Sequence, residues 1–179
     1  MRISALLTAA ALTLALTACG GGDSTGPSES RPDDFAFTFV HADGSVPPPF
    51  HAEWTVKVDA DGAGLATFTP DYSGDGVPTY RSRFEVSDED MDAIYADMRD
   101  AGLLEDITET DDVPVGGSVE TATIYADGET FDVPPFDEDG GAPLADVSEA
   151  VRGLVPAADW ASFESRRDAY AQREYGEKP

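Results

Sequence analysis

The feature that most constrains the fold is a strict alternation of apolar and polar residues early in the chain. Phe35, Phe37 and Phe39 fall on one face of an extended segment, and Trp54 and Val56 repeat the pattern further along. Alternation with a period of two is typical of strands that bury one face. The pattern therefore predicts a half-buried sheet.

Six strands are predicted in all, because similar runs recur and tight turns separate some of them. Asp61-Gly62 and Asp127-Gly128 both favour short hairpin turns. The predicted strands cover residues 35–40, 52–60, 65–69, 80–86, 119–126 and 130–133. Leu65 and Phe68 have opposite parity, so the alternation leaves the buried face of the third strand open.

Three helices are predicted from apolar residues at helical spacing. The first helix is predicted to begin after Ser87, a hydroxyl N-cap that precedes an acidic first turn, and to end before Gly102. The second helix starts with Pro143 in its first turn, and the third runs from about residue 158 to 175. The apolar stripes are Met91, Ile94, Tyr95 and Met98; Leu144, Val147, Val151 and Leu154; and Trp160, Phe163 and Tyr170. The element order predicts a single α+β domain over residues 35–176, with an antiparallel sheet of about six strands and three helices packed on one face.

The first eighteen residues have the layout of a secretory signal. Arg2 precedes an apolar run from Ile3 to Ala18, which is shorter than the ~20 residues that cross a bilayer. Cys19 follows directly and is the only cysteine of the chain. Because the chain has no second cysteine, it cannot form a disulfide framework or a site with several thiolate metal ligands within one chain.

The segment Leu16-Thr17-Ala18-Cys19 resembles the lipobox of bacterial lipoproteins. The resemblance implies a signal peptide over residues 1–18 and a diacylglycerol on Cys19, which becomes the first residue after cleavage. It also implies an extracytoplasmic, membrane-anchored protein. Gly20 in place of an aspartate favours the outer membrane in a diderm host, and the outer face of the cell membrane otherwise. The alternative is a spare thiol beside an ordinary cleavage site.

The segment between the anchor and the domain is rich in glycine, serine and proline. Residues 19–34 contain no large apolar side chain, so they are expected to form a flexible linker after the lipidated cysteine. The body from Phe35 onward resembles small domains of uncharacterised bacterial lipoproteins, through its strand pairs, the Val86 to Asp90 helix start and the Ala126 to Gly128 hairpin. That resemblance supplies no catalytic residues.

The net charge restricts the partners. The chain carries 36 acidic and 11 basic residues, a formal charge of −25, and removal of the signal would take away one more arginine. Such a surface repels nucleic acid and anionic headgroups, so membrane attachment would fall to the lipid. Envelope proteins remain open as partners. Solubility at high ionic strength is the simpler explanation of the acidity.

Two patterns are candidates for metal binding. Asp71, Ser73 and Asp75 have the oxygen spacing of the first half of an EF-hand loop, although Ser82 stands where that loop needs a bidentate glutamate. His41 and His51 bracket the proline-rich loop, and their rings would face each other if the first two strands paired suitably. Asp43 or Glu53 would then complete a zinc site. Solvated histidines are the competing explanation.

The sequence favours binding over catalysis. It lacks HExxH, Gly-x-Ser-x-Gly and any nucleophile with a recognisable base. Pro47, Pro48 and Pro49 predict a stiff, extended loop that ends at Phe50 and loses little entropy when it docks on a partner. We therefore expect a non-enzymatic, membrane-anchored interaction module that needs no cofactor. A calcium-binding surface protein and a small hydrolase that uses carboxylates are the alternatives.

Overall fold

The computed structural model describes residues 27–110, 117–176 and 179. The predicted signal peptide and Cys19 lie outside the described residues. The strands are β1 (Ala36–Ala42), β2 (Glu53–Val58), β3 (Ala63–Thr69), β4 (Tyr80–Glu85), β5 (Val119–Ala126) and β6 (Glu129–Val133). The helices are α1 (Asp88–Asp100), α2 (Ala145–Leu154) and α3 (Ala157–Glu174).

All neighbouring strands pair antiparallel, in the order β4-β3-β2-β1-β5-β6. This confirms the predicted α+β class with a six-stranded antiparallel sheet. The register aligns the alternating apolar residues into continuous rows, since Phe39 pairs with Val56 on one side and Ala122 on the other. One face of the sheet is therefore buried, and the opposite face, which we call the open face, carries mainly threonines and charged side chains.

The structure shows which face of β3 is buried, a point that the alternation of residues in the sequence left open. Gly64, Ala66 and Phe68 point into the core, whereas Leu65 lies on the open face. Gly64 pairs with Phe84, and a methyl group at Gly64 would come within 2.5 Å of the Phe84 ring. The small residues of β3 thus leave room for a large neighbour, a complementarity that no single-strand pattern reveals.

The helix ends follow the predicted capping chemistry, with one difference. Ser87 accepts a hydrogen bond from the backbone N–H of Asp90, and Gly102 adopts a φ of 74° just beyond α1. The second helix begins at Ala145, so Pro143 lies in the turn before it. The predicted stripes are buried, apart from a partly exposed Leu154.

Each helix contacts the sheet or the segment that leads into it. Trp160 and Phe163 of α3 meet Trp54 and Phe68, with ring centroids 5.4 and 5.6 Å apart, and Tyr95 of α1 meets Phe35 at 5.1 Å. Ser148 of α2 donates a hydrogen bond to Glu120 of β5. The packing of all three helices on one face stays a prediction. Within residues 27–110 and 117–176, no helix has the length and apolarity that a membrane span requires.

The second half of the predicted linker lies against the domain. Arg31 bonds to Asp88 and Asp92 of α1 at 3.1 and 2.6 Å, and the Tyr95 hydroxyl donates to the Ser28 carbonyl at 2.8 Å. Asp34 accepts hydrogen bonds from the backbone N–H groups of the Asp127-Gly128 turn. The prediction of a flexible linker is therefore wrong for residues 28–34, and residues 19–26 of that linker lie outside the described residues.

Trp54 is the central residue of the buried face, so its truncation should be costly. It is 6% exposed and contacts the rings of Phe39, His41 and Trp160. We expect Trp54→Ala to lower the free energy of unfolding by ~3–5 kcal/mol through lost burial and a residual cavity. Denaturant unfolding measures this. Tyr125→Ala, on the exposed side of β5, is the control and should change stability by no more than ~0.5 kcal/mol. Equal stability of both variants would contradict the assignment.

Candidate functional site

Three exposed aromatic residues belong to segments that meet where β2 begins and β3 ends. Phe50, Tyr72 and Tyr175 are 48%, 43% and 42% exposed. We call these three residues the loop-end surface. They belong to the loop between β1 and β2, the loop after β3 and the end of α3. Exposed aromatic groups on a firm support are common at the centres of protein interfaces.

The proline-rich loop is not extended, although its sequence predicted an extended conformation. The Phe50 N–H donates to the Pro47 carbonyl at 3.0 Å, which bends the chain into a turn. Pro47 and Pro48 are exposed and Pro49 is buried. Arg167 of α3 donates from Nη2 to the Phe50 carbonyl at 2.9 Å. The stiffness of the loop therefore comes from a turn and an arginine contact as well as from the prolines.

Tyr72 joins the two loops of the loop-end surface. Its ring stacks on the His51 ring with centroids 3.7 Å apart, and its hydroxyl donates to the Val46 carbonyl at 2.8 Å. His51 is 2% exposed, whereas the sequence favoured a solvated ring. The buried imidazole thus forms the floor under Tyr72.

Tyr175 is held by the buried carboxylate of Asp71. The Tyr175 hydroxyl donates to Asp71 Oδ2, and this hydrogen bond, together with burial, raises the pKa of the phenol above its ordinary value. Asp71 Oδ1 accepts from the backbone N–H of Tyr72 at 2.7 Å. One carboxylate therefore fixes two of the three aromatic residues, which keeps the surface preorganised.

The proposed calcium ligands do not share a partner. Asp71 is engaged by Tyr72 and Tyr175, whereas Ser73 donates to Glu53. In the described parts of the chain, no group of three or more His, Cys, Asp and Glu side chains is placed to hold a metal ion. Calcium binding at Asp71, Ser73 and Asp75 stays a prediction, and it would require these hydrogen bonds to be exchanged.

A chain of hydrogen bonds links Ser73, Glu53 and His51. The order of these groups differs from that in the catalytic triad of a serine hydrolase. Glu53 accepts from Ser73 through Oε2 and from His51 through Oε1, the latter at 3.2 Å. In a hydrolase triad the imidazole stands between the hydroxyl and the carboxylate. Here the carboxylate of Glu53 stands between the Ser73 hydroxyl and the His51 imidazole, so the arrangement is not that of a Ser-His-acid triad.

His41 lies in a second polar cluster on the buried face of the sheet. Its Nδ1 donates to Glu120 at 3.0 Å and its Nε2 to Asp43 at 3.4 Å. The hydrogen bonds to Asp43 and Glu120 outweigh burial and raise the pKa of His41 to about 9. A charged imidazole has no lone pair for zinc. The β1–β2 register also pairs His41 with Trp54, so the two histidines do not face each other as the zinc hypothesis required.

Two buried nitrogen atoms next to the loop-end surface have no hydrogen-bond partner among the described residues. They are His51 Nδ1 and Arg167 Nε. Both belong to side chains that support Phe50 or Tyr72. Buried polar groups are normally satisfied by protein or water. The support of the surface therefore retains hydrogen-bonding capacity that an ordered water molecule can satisfy.

The sequence marked two of the segments that form this surface, for different reasons. It predicted Pro47–Phe50 as a docking loop and Asp71, Ser73 and Asp75 as calcium ligands, and the structure brings these two loops together through Tyr72. Tyr72, Tyr175 and Arg167 were missed because each acts through a contact distant in sequence, as in the pairing of Tyr175 with Asp71. No local periodicity marks such residues.

Comparison with known proteins adds no family assignment. No protein-family model matches the sequence, and no curated protein matches it significantly. The site must therefore be interpreted from its own geometry.

The His41 cluster should make stability depend on pH. The pKa of His41 is about 9 in the fold and about 6.5 in an unfolded chain. Its contribution is fully present below pH 6.5 and is lost as the pH rises through 9, a loss of roughly 3 kcal/mol. Denaturant unfolding across pH 6–10 measures it.

His41→Gln is the control, since glutamine keeps a polar side chain but does not titrate. Its stability should vary with alkaline pH by clearly less than that of the wild type. Parallel curves for both proteins would contradict a charged His41.

Proposed function

We propose that the protein is a lipid-anchored envelope lipoprotein whose domain is a non-enzymatic binding module, and that the loop-end surface is its contact with an envelope protein. The observation that carries the proposal is the grouping of Phe50, Tyr72 and Tyr175 on a hydrogen-bonded support. Aromatic residues that are already ordered lose little conformational entropy on docking.

The polar groups of the site favour binding over chemistry. Asp71, Glu53 and Arg167 are engaged in holding loops and aromatic rings. A catalytic base needs a free lone pair aimed at a reacting proton. Arrangements of this kind are more typical of a rigid recognition surface than of an active site, which places the hydrolase alternative second.

The anchor is supported by the sequence before the domain. Cys19 ends an apolar signal with a lipobox pattern, and the contacts of Ser28 and Arg31 with the domain begin only nine residues later. Two or more acyl chains would make attachment effectively permanent, since each buried methylene contributes ~0.8 kcal/mol. The strongly negative surface would keep the domain itself off anionic headgroups.

Truncation of Phe50 should weaken binding without affecting the fold. Phe50→Ala removes an exposed ring, so the free energy of unfolding should change by no more than ~0.5 kcal/mol. Capture of an envelope partner, quantified by mass spectrometry after pull-down with the lipidated protein, should fall about tenfold or more if Phe50 is a central contact.

Tyr125→Ala is the matched control for capture, because Tyr125 is 46% exposed on the open face, away from the loop-end surface. It should leave capture unchanged. If Phe50→Ala and Tyr125→Ala capture the same proteins in the same amounts as the wild type, the loop-end surface is not the contact.

The anchor has its own test. Cells that express the wild type and receive a labelled fatty acid should incorporate the label into the protein, whereas Cys19→Ala should incorporate none. The N-terminal peptide of the purified wild type should begin at Cys19 and carry diacylglycerol. An unmodified N-terminal peptide would refute lipidation while leaving the loop-end surface open to its separate test.

A further inference from the structure

The two edges of the sheet carry opposite charges. The β4 edge exposes Arg81, Arg83 and Glu85, which together carry a net positive charge, and the β6 edge exposes Glu129 and Asp132. Within the described ranges, no strand covers either edge. Uncovered edges present backbone donors and acceptors that can pair with another strand.

Arg81 and Arg83 are exceptional in this acidic chain. Neither forms an ion pair, hydrogen bond or ring contact with any described residue. Every other described cation has such a partner: Arg31, Lys57, Arg99, Arg167 and Arg173 in ion pairs, and Arg152 and Arg166 over aromatic rings. Two neighbouring unpaired arginines on a chain with 36 acidic residues point to an anionic partner for this edge.

We propose that the partner is a second copy of this chain, whose β6 edge pairs with β4. Neighbouring strands alternate in direction across the six-stranded sheet, so β4 and β6 run antiparallel to each other. A second copy in the same orientation therefore adds its β6 beside β4 as an ordinary antiparallel neighbour. The buried faces stay on one side of the combined sheet and the open faces on the other.

One register satisfies both faces at once. If Asp132 of the second copy lies opposite Arg83, an antiparallel ladder places Phe131 opposite Phe84. The charged pair then lies on the open face, where Asp132 and Arg83 already point, and the aromatic pair lies on the buried side. Opposite charges and aromatic pairs directly across strands both stabilise a sheet.

The charges disfavour one of the other self-pairings and leave the second as a competitor. Two β6 edges would bring only acidic residues together, which is destabilising across strands. Two β4 edges could pair with Phe84 opposite Phe84 and Arg83 opposite Glu85, an arrangement that leaves Thr130 far from Glu85 of the neighbouring copy. The head-to-tail combination alone joins a β4 edge to a β6 edge. Such a contact leaves a free β4 edge at one end and a free β6 edge at the other, so assembly can continue beyond a dimer.

Cysteine cross-linking tests the register. Thr130 and Glu85 are exposed, and the proposed register places Thr130 of one copy opposite Glu85 of the next. The full chain with Thr130→Cys and Glu85→Cys, oxidised in about 0.15 M NaCl where the Debye length is about 8 Å, should form disulfide-linked dimers and longer ladders on a non-reducing gel.

Two controls measure background. The wild type reports cross-linking through Cys19, and a chain with Thr130→Cys and Lys57→Cys places the second thiol in the middle of the open face, away from either edge. Cross-linking of the Thr130/Glu85 pair no greater than that of either control would overturn the proposal, as would a cross-link to a different protein only.

A charge exchange tests the cause. Adding Arg83→Glu to the cysteine pair replaces an attraction by a repulsion and should lower the cross-linking yield about threefold or more. Adding Asp132→Arg to that chain restores an opposite pair and should restore the yield. Cross-linking that is insensitive to Arg83→Glu, or that is not recovered by the exchange, would show that charge complementarity of the edges does not direct assembly.

Discussion

The structure depends on the packing around Trp54, where the apolar core and the charged cluster meet. Its ring stacks against Phe39 and His41 and meets Trp160 of α3 edge-on. His41 is charged at neutral pH and lies between Asp43 and Glu120. A cation over an aromatic face is stabilised by the ring quadrupole. The Trp54 side chain therefore ties β1, β2 and α3 together.

Some of the few basic residues tie together segments that are distant in sequence. Arg31 fixes the N-terminal segment to α1, and Arg167 fixes the proline-rich loop to α3. A strongly acidic surface destabilises the compact state through self-repulsion. Placing cations at the junctions offsets that repulsion where the chain would otherwise separate. Arg81 and Arg83 of the β4 edge form no such contact with the described residues.

The sheet and helices could be predicted from sequence because their signals are local. Alternation in β1 and β2, the Ser87 cap and the Asp127-Gly128 turn each specify structure within a few residues, and Asp127 and Gly128 adopt the positive φ angles that such a turn needs. The packing of Gly64 against Phe84 and of Asp71 against Tyr175 could not be predicted, since each depends on a partner brought near by the fold. The proline-rich loop was predicted extended because proline preferences are local, whereas Arg167 and the turn at Phe50 are tertiary features.

Residues 28–34 lie beside the β5–β6 turn, so the N-terminal segment meets the domain at one defined end of the sheet. That turn lies at the end where β1 begins, while β1 leads at Ala42 toward the loop that carries Phe50. The N-terminal segment therefore joins the domain at the end of the sheet opposite to the loop that carries Phe50. Seven residues of strand separate the two ends by about 23 Å. The two sheet edges run between these ends, so a contact along an edge and a contact at the aromatic residues would use different surfaces of the same molecule.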